Sequence, residues 1–230
     1  MSKQAVALVT GGTKGIGRAC VDRLISQGYQ VVTVARNLPA DPMTAECIAV
    51  DLTDRAAFEV VLADITQRYE VTTLVNNAGA TGMETIETLT EADFDCEIQL
   101  NLFSAFQATR AVVPGMKAAG FGRIVNIATE LVLGYPQRSS YGASKAGMIS
   151  ASRTWALELG PHGVTSNTIA PGPIATDFFN QKNPDGSPQR IAKMAKIPVG
   201  HFGVPDDIAR TVAFLVDPAA GYITGQTIFV

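Results

Sequence analysis

The sequence predicts one α/β domain built on a doubly wound parallel sheet, with helices on both faces. Short apolar segments rich in β-branched residues recur along the chain, and segments typical of helices lie between most of them. Uninterrupted apolar strands indicate a sheet buried on both faces, and the strand–helix alternation makes it parallel with right-handed crossovers. With 47% hydrophobic residues, the 230-residue chain can bury a large core as a single domain over residues 1–230.

The predicted elements follow one another regularly as far as residue 170. Strands are predicted at residues 5–10, 30–35, 47–50, 72–76, 123–128 and 164–170, and helices at 15–27, 54–69, 91–118 and 139–160. Residues 36–46 contain two prolines, which leave room only for a loop or a single turn. Because the predicted strands are parallel, their carboxyl ends are expected to lie at one edge of the sheet.

The segment 171–200 interrupts this alternation. It is rich in Pro, Gly and Asn, and only residues 187–196 have a helical pattern. Because it follows the carboxyl end of a strand, where ligands bind in such sheets, we interpret it as a substrate loop. A surface loop without function is the alternative interpretation.

Composition and charge exclude several classes of function. The net charge of −3 gives no electrostatic reason to expect nucleic acid or an anionic membrane as partner. No apolar run reaches the ~20 residues of a membrane span, and the N-terminus lacks a signal-peptide pattern. Cys20, Cys47 and Cys96 fit no metal spacing and indicate reduced thiols of a cytoplasmic protein. His162 and His201 are the only histidines, so we expect no metal site and no histidine triad.

The first strand runs into the sequence TGGTKGIG, residues 10–17, and a helix follows. A sharp turn, close backbone approach to a pyrophosphate and tight packing of helix on strand each favour glycine. The free N–H groups of the helix N-terminus then attract phosphate oxygens. The loop therefore indicates a dinucleotide site, the alternative being a tight strand-to-helix turn. The residues predicted to surround the phosphates are Gly11, Thr13, Lys14, Gly15, Ile16 and Gly17.

Tyr141 and Lys145 lie four residues apart among small residues, in the sequence RSSYGASKAG. On a helix this spacing places both side chains on one face. A free phenol titrates near pH ~10, and a neighbouring ammonium lowers that pKa by stabilising the phenolate. The pair then becomes a usable proton donor and acceptor, whereas taken alone it is typical of a solvated helix surface.

A series of motifs along nearly the whole chain resembles the short-chain dehydrogenase/reductase family. The motifs are TG-x-x-x-G-x-G at residues 10–17, NNAG at 76–79, Asn101, Y-x-x-x-K at 141–145, PGPIAT at 171–176 and IPVGHFGVPDDIA at 197–209. The resemblance implies a Rossmann-type fold and an enzyme that transfers hydride between a nicotinamide cofactor and a carbonyl or secondary alcohol. It also implies a homotetramer assembled through the helices near 91–118 and 139–160.

The resemblance further implies a role for each site residue. Tyr141 donates the proton to the carbonyl oxygen, while Lys145 lowers the pKa of the phenol and holds the nicotinamide ribose. Asn101 positions Lys145 through a water-linked proton relay, the alternative being a polar residue satisfied by local backbone. The remaining implied cofactor contacts are Leu52, Asn77, Ala78, Gly79, Pro171, Gly172, Ile174 and Thr176.

The end of the second strand favours NADP(H) over NAD(H). An acidic residue there binds the adenosine ribose hydroxyls, but this chain has Ala35 followed by Arg36. Arg36 can pair a 2′-phosphate in bidentate fashion, and Lys14 adds a second cation. Both could instead be solvated surface charges. Asp51 resembles the family residue that contacts the adenine, with a turn or helix-cap aspartate as the alternative.

Two features depart from the family pattern. The family has serine after the fifth strand, as in NISS, whereas this chain reads NIAT and carries Thr129. A threonine hydroxyl can donate equally, so we interpret Thr129 as the substitute, with a methyl group that narrows the pocket. The sequence also stops at Val230, where relatives continue through a D-G-G turn, so we expect either a truncated chain or a missing tail.

Three functions remain open from the sequence. The first is an NADP(H)-dependent carbonyl reductase or alcohol dehydrogenase for a small substrate, with Phe178, Phe179 and Met194 as apolar walls. The second is a 3-oxoacyl-acyl-carrier-protein reductase, and the third is a nucleotide-binding regulator without catalysis. The basic residues available for an acyl-carrier partner are Arg138, Lys182, Arg190, Lys193 and Lys196.

Overall fold

The computed structural model describes residues 4–230, and its centre is a seven-stranded sheet in which every pairing is parallel. The strand order is β3-β2-β1-β4-β5-β6-β7. The strands are β1 (Val6–Thr10), β2 (Gln30–Ala35), β3 (Glu46–Ala49), β4 (Val71–Asn76), β5 (Gly122–Ile127), β6 (Val164–Ala170) and β7 (Thr227–Phe229). The predicted doubly wound α/β fold is therefore confirmed.

Helices cover both faces of the sheet. They are α1 (Gly15–Ser26), α2 (Arg55–Arg68), α3 (Glu91–Ile98), α4 (Ser104–Ala119), α5 (Ser139–Leu159), α6 (Asp177–Lys182), α7 (Pro188–Met194) and α8 (Pro205–Val216). One apolar core joins the sheet to α2, α4 and α5, with Phe58 and Trp155 among its large side chains. The other joins it to α1 and α8 through Leu24 and Ile208. Strands buried on both faces explain the uninterrupted apolar runs of the sequence.

The prediction of one continuous α-helix over residues 91–118 is wrong, because the helix is interrupted. A π-helical turn, Gln99–Phe103, separates α3 from α4. A π turn inserts one extra residue into the helical ladder and re-aims the side chains there, and such turns occur frequently at functional sites. Asn101 lies in the middle of this turn and is fully buried. The interruption therefore determines where that asparagine points.

The order of the strands creates a crevice at one edge of the sheet. β1 pairs with both β2 and β4, so the winding direction of the chain reverses between β1 and β4. Loops that leave the carboxyl ends of strands on either side of such a reversal diverge and leave space for a ligand. The glycine loop follows β1, and the NNAG sequence ends β4. Both predicted cofactor segments therefore border this crevice.

Candidate active site

The glycine loop has the geometry that its sequence predicts. Gly11 and Gly15 have φ angles of +69° and +56°, in the left-handed region that glycine adopts without strain. A Cβ atom on Gly17 would overlap the carbonyl oxygen of Gly11 and the side-chain nitrogen Nδ2 of Asn77. Lys14 is exposed at the N-cap of α1, directly before the helix. Thr13 and Ile16 are half-buried beside it.

A fourth glycine in this loop was missed by the sequence reasoning. The Gly12 N–H donates to Thr33 Oγ1 at 3.0 Å, and that hydroxyl donates to the Val9 carbonyl at 2.8 Å. A Cβ atom on Gly12 would overlap Thr33 and lie 2.7 Å from Val21. Gly12 thus joins the loop to the neighbouring strand. The available signal was the pair of adjacent glycines after β1.

Thr10 and Asn77 fasten the glycine loop to the segment after β4. Thr10 Oγ1 accepts hydrogen bonds from the backbone N–H groups of Asn77 and Ala78, both at 3.0 Å. The Asn77 side chain donates to the carbonyls of Thr10 and Gly11 at 3.0 and 3.1 Å. The predicted contacts Asn77 and Ala78 therefore hold the loop in place from the other side of the crevice.

The residues expected near the adenosine lie together at the carboxyl ends of β2 and β3. Ala35 ends β2 and is buried, and Arg36 next to it is exposed. Asp51 accepts hydrogen bonds from the N–H and hydroxyl of Thr53 at 2.9 and 2.7 Å. These bonds lower the pKa of Asp51, with a smaller contribution from the Arg36 charge. Asp51 is therefore a turn aspartate in this structure, and Leu52 beside it is buried.

Asn101 connects the segment after β4 to α5. Its Oδ1 accepts from the Ala80 N–H at 2.8 Å, and its Nδ2 donates to the Ala80 carbonyl at 2.9 Å and to Ser144 Oγ at 3.2 Å. A Cβ atom on Gly79 would lie 2.9 Å from Asn101 Oδ1 and 3.2 Å from Lys145 Nζ. The backbone that satisfies Asn101 is therefore remote in sequence, and the residue lies beside Lys145.

Lys145 is buried, with 2% of its surface exposed. Its Nζ donates to the Ile127 carbonyl at 2.8 Å, at the end of β5. Burial lowers the pKa of Lys145 from 10.5 to about 8, because the ammonium loses hydration that one carbonyl does not replace. The ammonium is thus held in a fixed place at the carboxyl edge of the sheet.

The Tyr141 phenol lies with Thr129. A side-chain hydrogen bond joins the two residues, and the Thr129 hydroxyl also accepts from the Leu131 N–H at 3.3 Å. The expected lowering of the Tyr141 pKa by Lys145 is not observed. Burial raises the pKa of Tyr141, while the Thr129 hydrogen bond and the Arg138 charge act in the opposite direction. The lysine is engaged with Ile127 instead of the phenol.

The segment 171–176 faces the glycine loop from the far side of the crevice. Pro171 accepts from the Glu130 N–H at 2.9 Å, and the Gly172 N–H donates to the Val230 carbonyl at 2.7 Å. Thr176 caps α6, and its methyl group would lie 3.5 Å from a Cβ atom on Gly15. Ile174, also in this segment, is buried. The residue after the last strand thus supports the segment, which borders the crevice opposite the glycine loop.

Glu130 is a second residue that the sequence reasoning missed. It follows Thr129 directly and is half-buried, and its carboxylate would lie 3.5 Å from a Cβ atom on Gly172. Burial raises the pKa of Glu130. A carboxylate directly after Thr129 can accept hydrogen bonds from hydroxyl groups of a ligand. The feature of the sequence that could have identified Glu130 was an acidic residue directly after Thr129.

Side chains of segment 171–200 pack against one another and against Phe202, which follows the segment. The rings of Phe179 and Phe202 lie 4.9 Å apart, and the Arg190 guanidinium lies 4.8 Å from the Phe202 centroid. A cavity of about 440 Å³ lies here, lined in part by Met194 and Ile191. Of the predicted apolar walls, Met194 lines this cavity, whereas Phe178 is 56% exposed.

Three of the five predicted basic residues are engaged within the chain. Arg138 donates to the Gly82 and Gln137 carbonyls at 2.7 and 2.9 Å. Arg190 pairs with Asp185 at 3.0 Å and donates to the Asn183 carbonyl at 3.0 Å. Lys193 Nζ lies 5.5 Å from the centroid of the Phe179 ring, and Lys182 and Lys196 are exposed. Fewer cations therefore face solvent at this edge than the sequence indicated.

Between residues 4 and 230, the structure brings together no group of three or more side chains suited to holding a metal ion. In the same part of the chain, no helix has both the length and the apolar character that a membrane crossing requires. The cysteines Cys20, Cys47 and Cys96 are free thiols.

Comparison with known proteins agrees with this geometry. A sequence model of the short chain dehydrogenase family matches residues 5–187. The 3-oxoacyl-acyl-carrier-protein reductase FabG of Vibrio cholerae is 36% identical over 234 residues, covering 98% of this chain and 95% of the relative. The reductase of that name from Thermotoga maritima is 33% identical over 235 residues, covering 97% and 94%.

Solved structures share the whole fold. A protein from Beutenbergia cavernae, assigned as an NAD(P)-dependent gluconate 5-dehydrogenase and bound to NADP at low occupancy, has a TM-score of 0.91 and 30% identity. The comparison covers 98% of this chain and 94% of that chain. Thermoplasma acidophilum aldohexose dehydrogenase has a TM-score of 0.90 and 28% identity, covering 99% and 92%. The predicted family is therefore confirmed: the chain belongs to the short chain dehydrogenase family of oxidoreductases.

Proposed function

We propose that the protein transfers hydride between NADP(H) and a carbonyl or secondary alcohol, with Tyr141 as proton donor and acceptor. The observation that carries the proposal is the meeting of Tyr141 and Thr129 at the end of β5, where the ammonium of Lys145 is anchored. Groups drawn from β5, α5 and the π turn thus converge on one point of the crevice. Such a cluster of acid, hydroxyl and ammonium groups supports proton transfer to a substrate oxygen.

The residues of the crevice fit a dinucleotide. Gly11 and Gly17 leave a cradle that side chains would fill, and the N-terminus of α1 faces it with Lys14. Arg36 is exposed beside Asp51, and no acidic side chain stands at Ala35 to repel a 2′-phosphate. Asn77–Gly79 and Pro171–Thr176 border the position of the nicotinamide in this proposal. When bound, the nicotinamide supplies or accepts the hydride.

Side chains of the protein carry out the proton transfer and hold the ligands. Thr129 donates its single hydroxyl proton to the substrate oxygen, which also accepts from the Tyr141 phenol, so that the oxygen is held between the two hydroxyls. Tyr141 gives up its proton to the oxygen during reduction and takes it back during oxidation. Lys145 presents two N–H donors beyond the one bound by Ile127, which suit ribose hydroxyls. Asn101 fixes the backbone of Ala80 beside that ammonium.

The first test of this function is a paired titration of NADPH and NADH, followed by nicotinamide fluorescence. We expect tighter binding of NADPH. Rates are then measured with acetoacetyl-coenzyme A, ethyl acetoacetate, gluconate and glucose as probes. Binding of neither cofactor, or turnover of none of the probes by a cofactor-bound protein, would favour the non-catalytic regulator.

Arg36→Ala is expected to weaken NADPH binding by roughly 10- to 100-fold, because a hydrogen bond to a charged group contributes about 1.5–3 kcal/mol. NADH binding is expected to change less than twofold, since it carries no 2′-phosphate. Lys117→Ala is the matched control, because Lys117 is an exposed cation in the last turn of α4. Equal losses for both cofactors would contradict the assignment of Arg36 to the phosphate.

Thr129→Ala is expected to lower kcat by about 100-fold, the typical effect of losing one donor to a reacting oxygen, with little change in NADPH affinity. Thr129→Ser keeps the hydroxyl and the bond to Leu131, so it should restore most of the rate. The comparison uses initial rates and fluorescence titration of NADPH. An unchanged kcat in Thr129→Ala would remove this hydroxyl from the reaction.

Two observations each support a different class of substrate. The relatives named above as acyl-carrier-protein reductases support a 3-oxoacyl thioester, and the exposed lysines Lys182 and Lys196 suit an acidic carrier. The half-buried Glu130 supports a second candidate, a polyol or sugar, because its carboxylate accepts from hydroxyl groups. Turnover of acetoacetyl-coenzyme A but not of gluconate or glucose would select the first. Segment 171–200 is the proposed substrate loop in both cases.

We also propose a homotetramer in the cytoplasm. Phe106 on α4 and Leu157 on α5 are 42% and 81% exposed, which supports apolar contact between copies through these helices. Three free thiols suit a reducing compartment. Light scattering after gel filtration measures the mass in solution, and a monomer would contradict the assembly.

A further inference from the structure

A buried carboxylate next to the proposed proton donor has no part in the mechanism above. Glu97 lies in α3 and is only 8% exposed. Its Oε2 accepts a hydrogen bond from Ser140 Oγ at 2.8 Å, and Ser140 directly precedes Tyr141. Its other oxygen, Oε1, accepts from the Gly82 N–H. Both carboxylate oxygens are thus used, and each holds a different segment of the active site.

Gly82 is held from a second direction by Arg138. The guanidinium donates to the Gly82 carbonyl at 2.7 Å, so Glu97 and Arg138 bind the N–H and C=O of one residue. Two residues earlier, Ala80 is held by Asn101 in the same manner. The segment between β4 and α3 is therefore attached at two points to the groups around Tyr141 and Lys145.

The first turn of α5 depends on these contacts. Its N-cap residue, Arg138, makes no capping hydrogen bond with its side chain. Gln137 before it has a φ angle of +61°, a conformation that a non-glycine residue adopts at a cost. A helix start without a local cap relies on other partners to stay ordered. The bond from Ser140 to Glu97 supplies such a partner one residue before Tyr141.

Charges from several elements face the Tyr141 phenol. The negative charge of Glu97 raises the pKa of Tyr141, and the Arg138 charge lowers it, both acting less strongly than burial and the Thr129 hydrogen bond. Lys145 lies one turn further along α5, and Glu130 follows Thr129 at the end of β5. Glu97 is therefore the anion that α3 contributes to this cluster.

We propose that Glu97 is a positioning residue of the active site. Its carboxylate joins the Gly82 segment to Ser140, orders the first turn of α5 and so holds the Tyr141 phenol in place for proton transfer. The inference rests on the proposed function, since it assigns a role to a group around the same tyrosine.

Three substitutions separate the hydrogen bonds of Glu97 from its charge. Glu97→Ala removes both bonds and the charge. Glu97→Gln removes the charge but keeps an acceptor for the Gly82 N–H and a partner for the Ser140 hydroxyl, which can rotate to accept. Asp95→Asn is the matched control, because Asp95 lies on the same helix and is exposed. The Tyr141 resonance is followed in protein labelled at tyrosine Cζ with ¹³C, assigned by its loss in Tyr141→Phe.

Two results are expected. In Glu97→Gln the titration of Tyr141 moves to lower pH, because one negative charge is removed from a partly buried neighbourhood. In Glu97→Ala kcat falls about tenfold or more, and Glu97→Gln recovers most of that loss with NADPH affinity unchanged. Asp95→Asn changes neither quantity.

The resonance tests the inference even if no probe is turned over. A wild-type protein without turnover would count against the proposed function, while the position of the Tyr141 titration would still report on Glu97. If Glu97→Ala does not fold, Ser140→Ala breaks the same link and should lower kcat without moving the titration to lower pH. An unchanged Tyr141 resonance and titration in both Glu97→Ala and Ser140→Ala, or full kcat in both, would overturn the inference.

Discussion

Tyr141→Phe is expected to lower kcat by about 10²–10⁴-fold, the range for losing a general acid, while leaving the affinity for NADPH within about twofold. The substitution removes only the hydroxyl that bonds with Thr129. The ring stays in its half-buried place at the start of α5. Initial rates with the probe substrates and fluorescence titration of NADPH measure the two quantities separately.

Tyr135→Phe is the matched control for this prediction. Tyr135 is 52% exposed and precedes α5 by a few residues, so losing its hydroxyl should change neither kcat nor NADPH affinity. Comparable rates for Tyr141→Phe and the wild type would show that another group moves the proton. A loss of NADPH affinity without a loss of kcat would instead make Tyr141 a cofactor contact only.

Lys145→Met is expected to abolish turnover and to change how stability depends on pH. The pKa of Lys145 is about 8 in the folded protein against 10.5 for the free group. Holding the charged form therefore costs the folded state about 3 kcal/mol below pH 8. This cost disappears as the pH rises from about 8 to 10.5, because the unfolded chain binds the proton more tightly over that window. Methionine carries no charge and has no such dependence.

The measurement is urea unfolding of both proteins at pH 7 and pH 10. The free energy of unfolding of the wild type should rise relative to Lys145→Met by about 2–3 kcal/mol between the two pH values. Taking the difference between the two proteins cancels the contributions that other groups titrating in this range make to the free energy of unfolding. Lys117→Met, on the exposed side of α4, should show no such change relative to the wild type. A constant difference for Lys145→Met would mean that its ammonium is hydrated in the folded state.

The stability cost of Lys145 has a functional interpretation. An ammonium that only one carbonyl satisfies retains two donors for a ligand, at the expense of the folded protein. Ribose hydroxyls that replace the missing hydration should therefore increase the affinity for cofactor at neutral pH, and through that affinity the stabilisation of the folded protein by bound cofactor.

Local sequence was sufficient for the strands, the glycine loop and the family. Runs rich in apolar and β-branched residues predict strands whatever their partners, because a sheet covered on both faces favours such side chains on both sides of each strand. The glycines at 11, 15 and 17 are required by backbone angles and close approaches that depend on the loop itself. Y-x-x-x-K has its spacing because four residues make one helical turn.

Contacts between distant segments decided the remaining features. The π turn at Asn101 could not be predicted, because it is held by Ala80 and Ser144, which lie 21 and 43 residues away. The raised pKa of Tyr141 follows from burial and from Glu97 on another helix. Arg138 is a surface cation by sequence, yet it holds Gly82 in the structure.

The sequence by itself determined the α/β sheet, the dinucleotide loop and the family of this protein, since those depend on local periodicity, turn geometry and motif spacing. Only the tertiary structure decided which polar groups share the crevice, how burial sets the pKa values of Tyr141 and Lys145, and that Glu97 bonds with Ser140 next to Tyr141. The physical reason is that desolvation and hydrogen bonding depend on the whole surrounding shell of atoms, and that shell comes from parts of the chain that are distant in sequence.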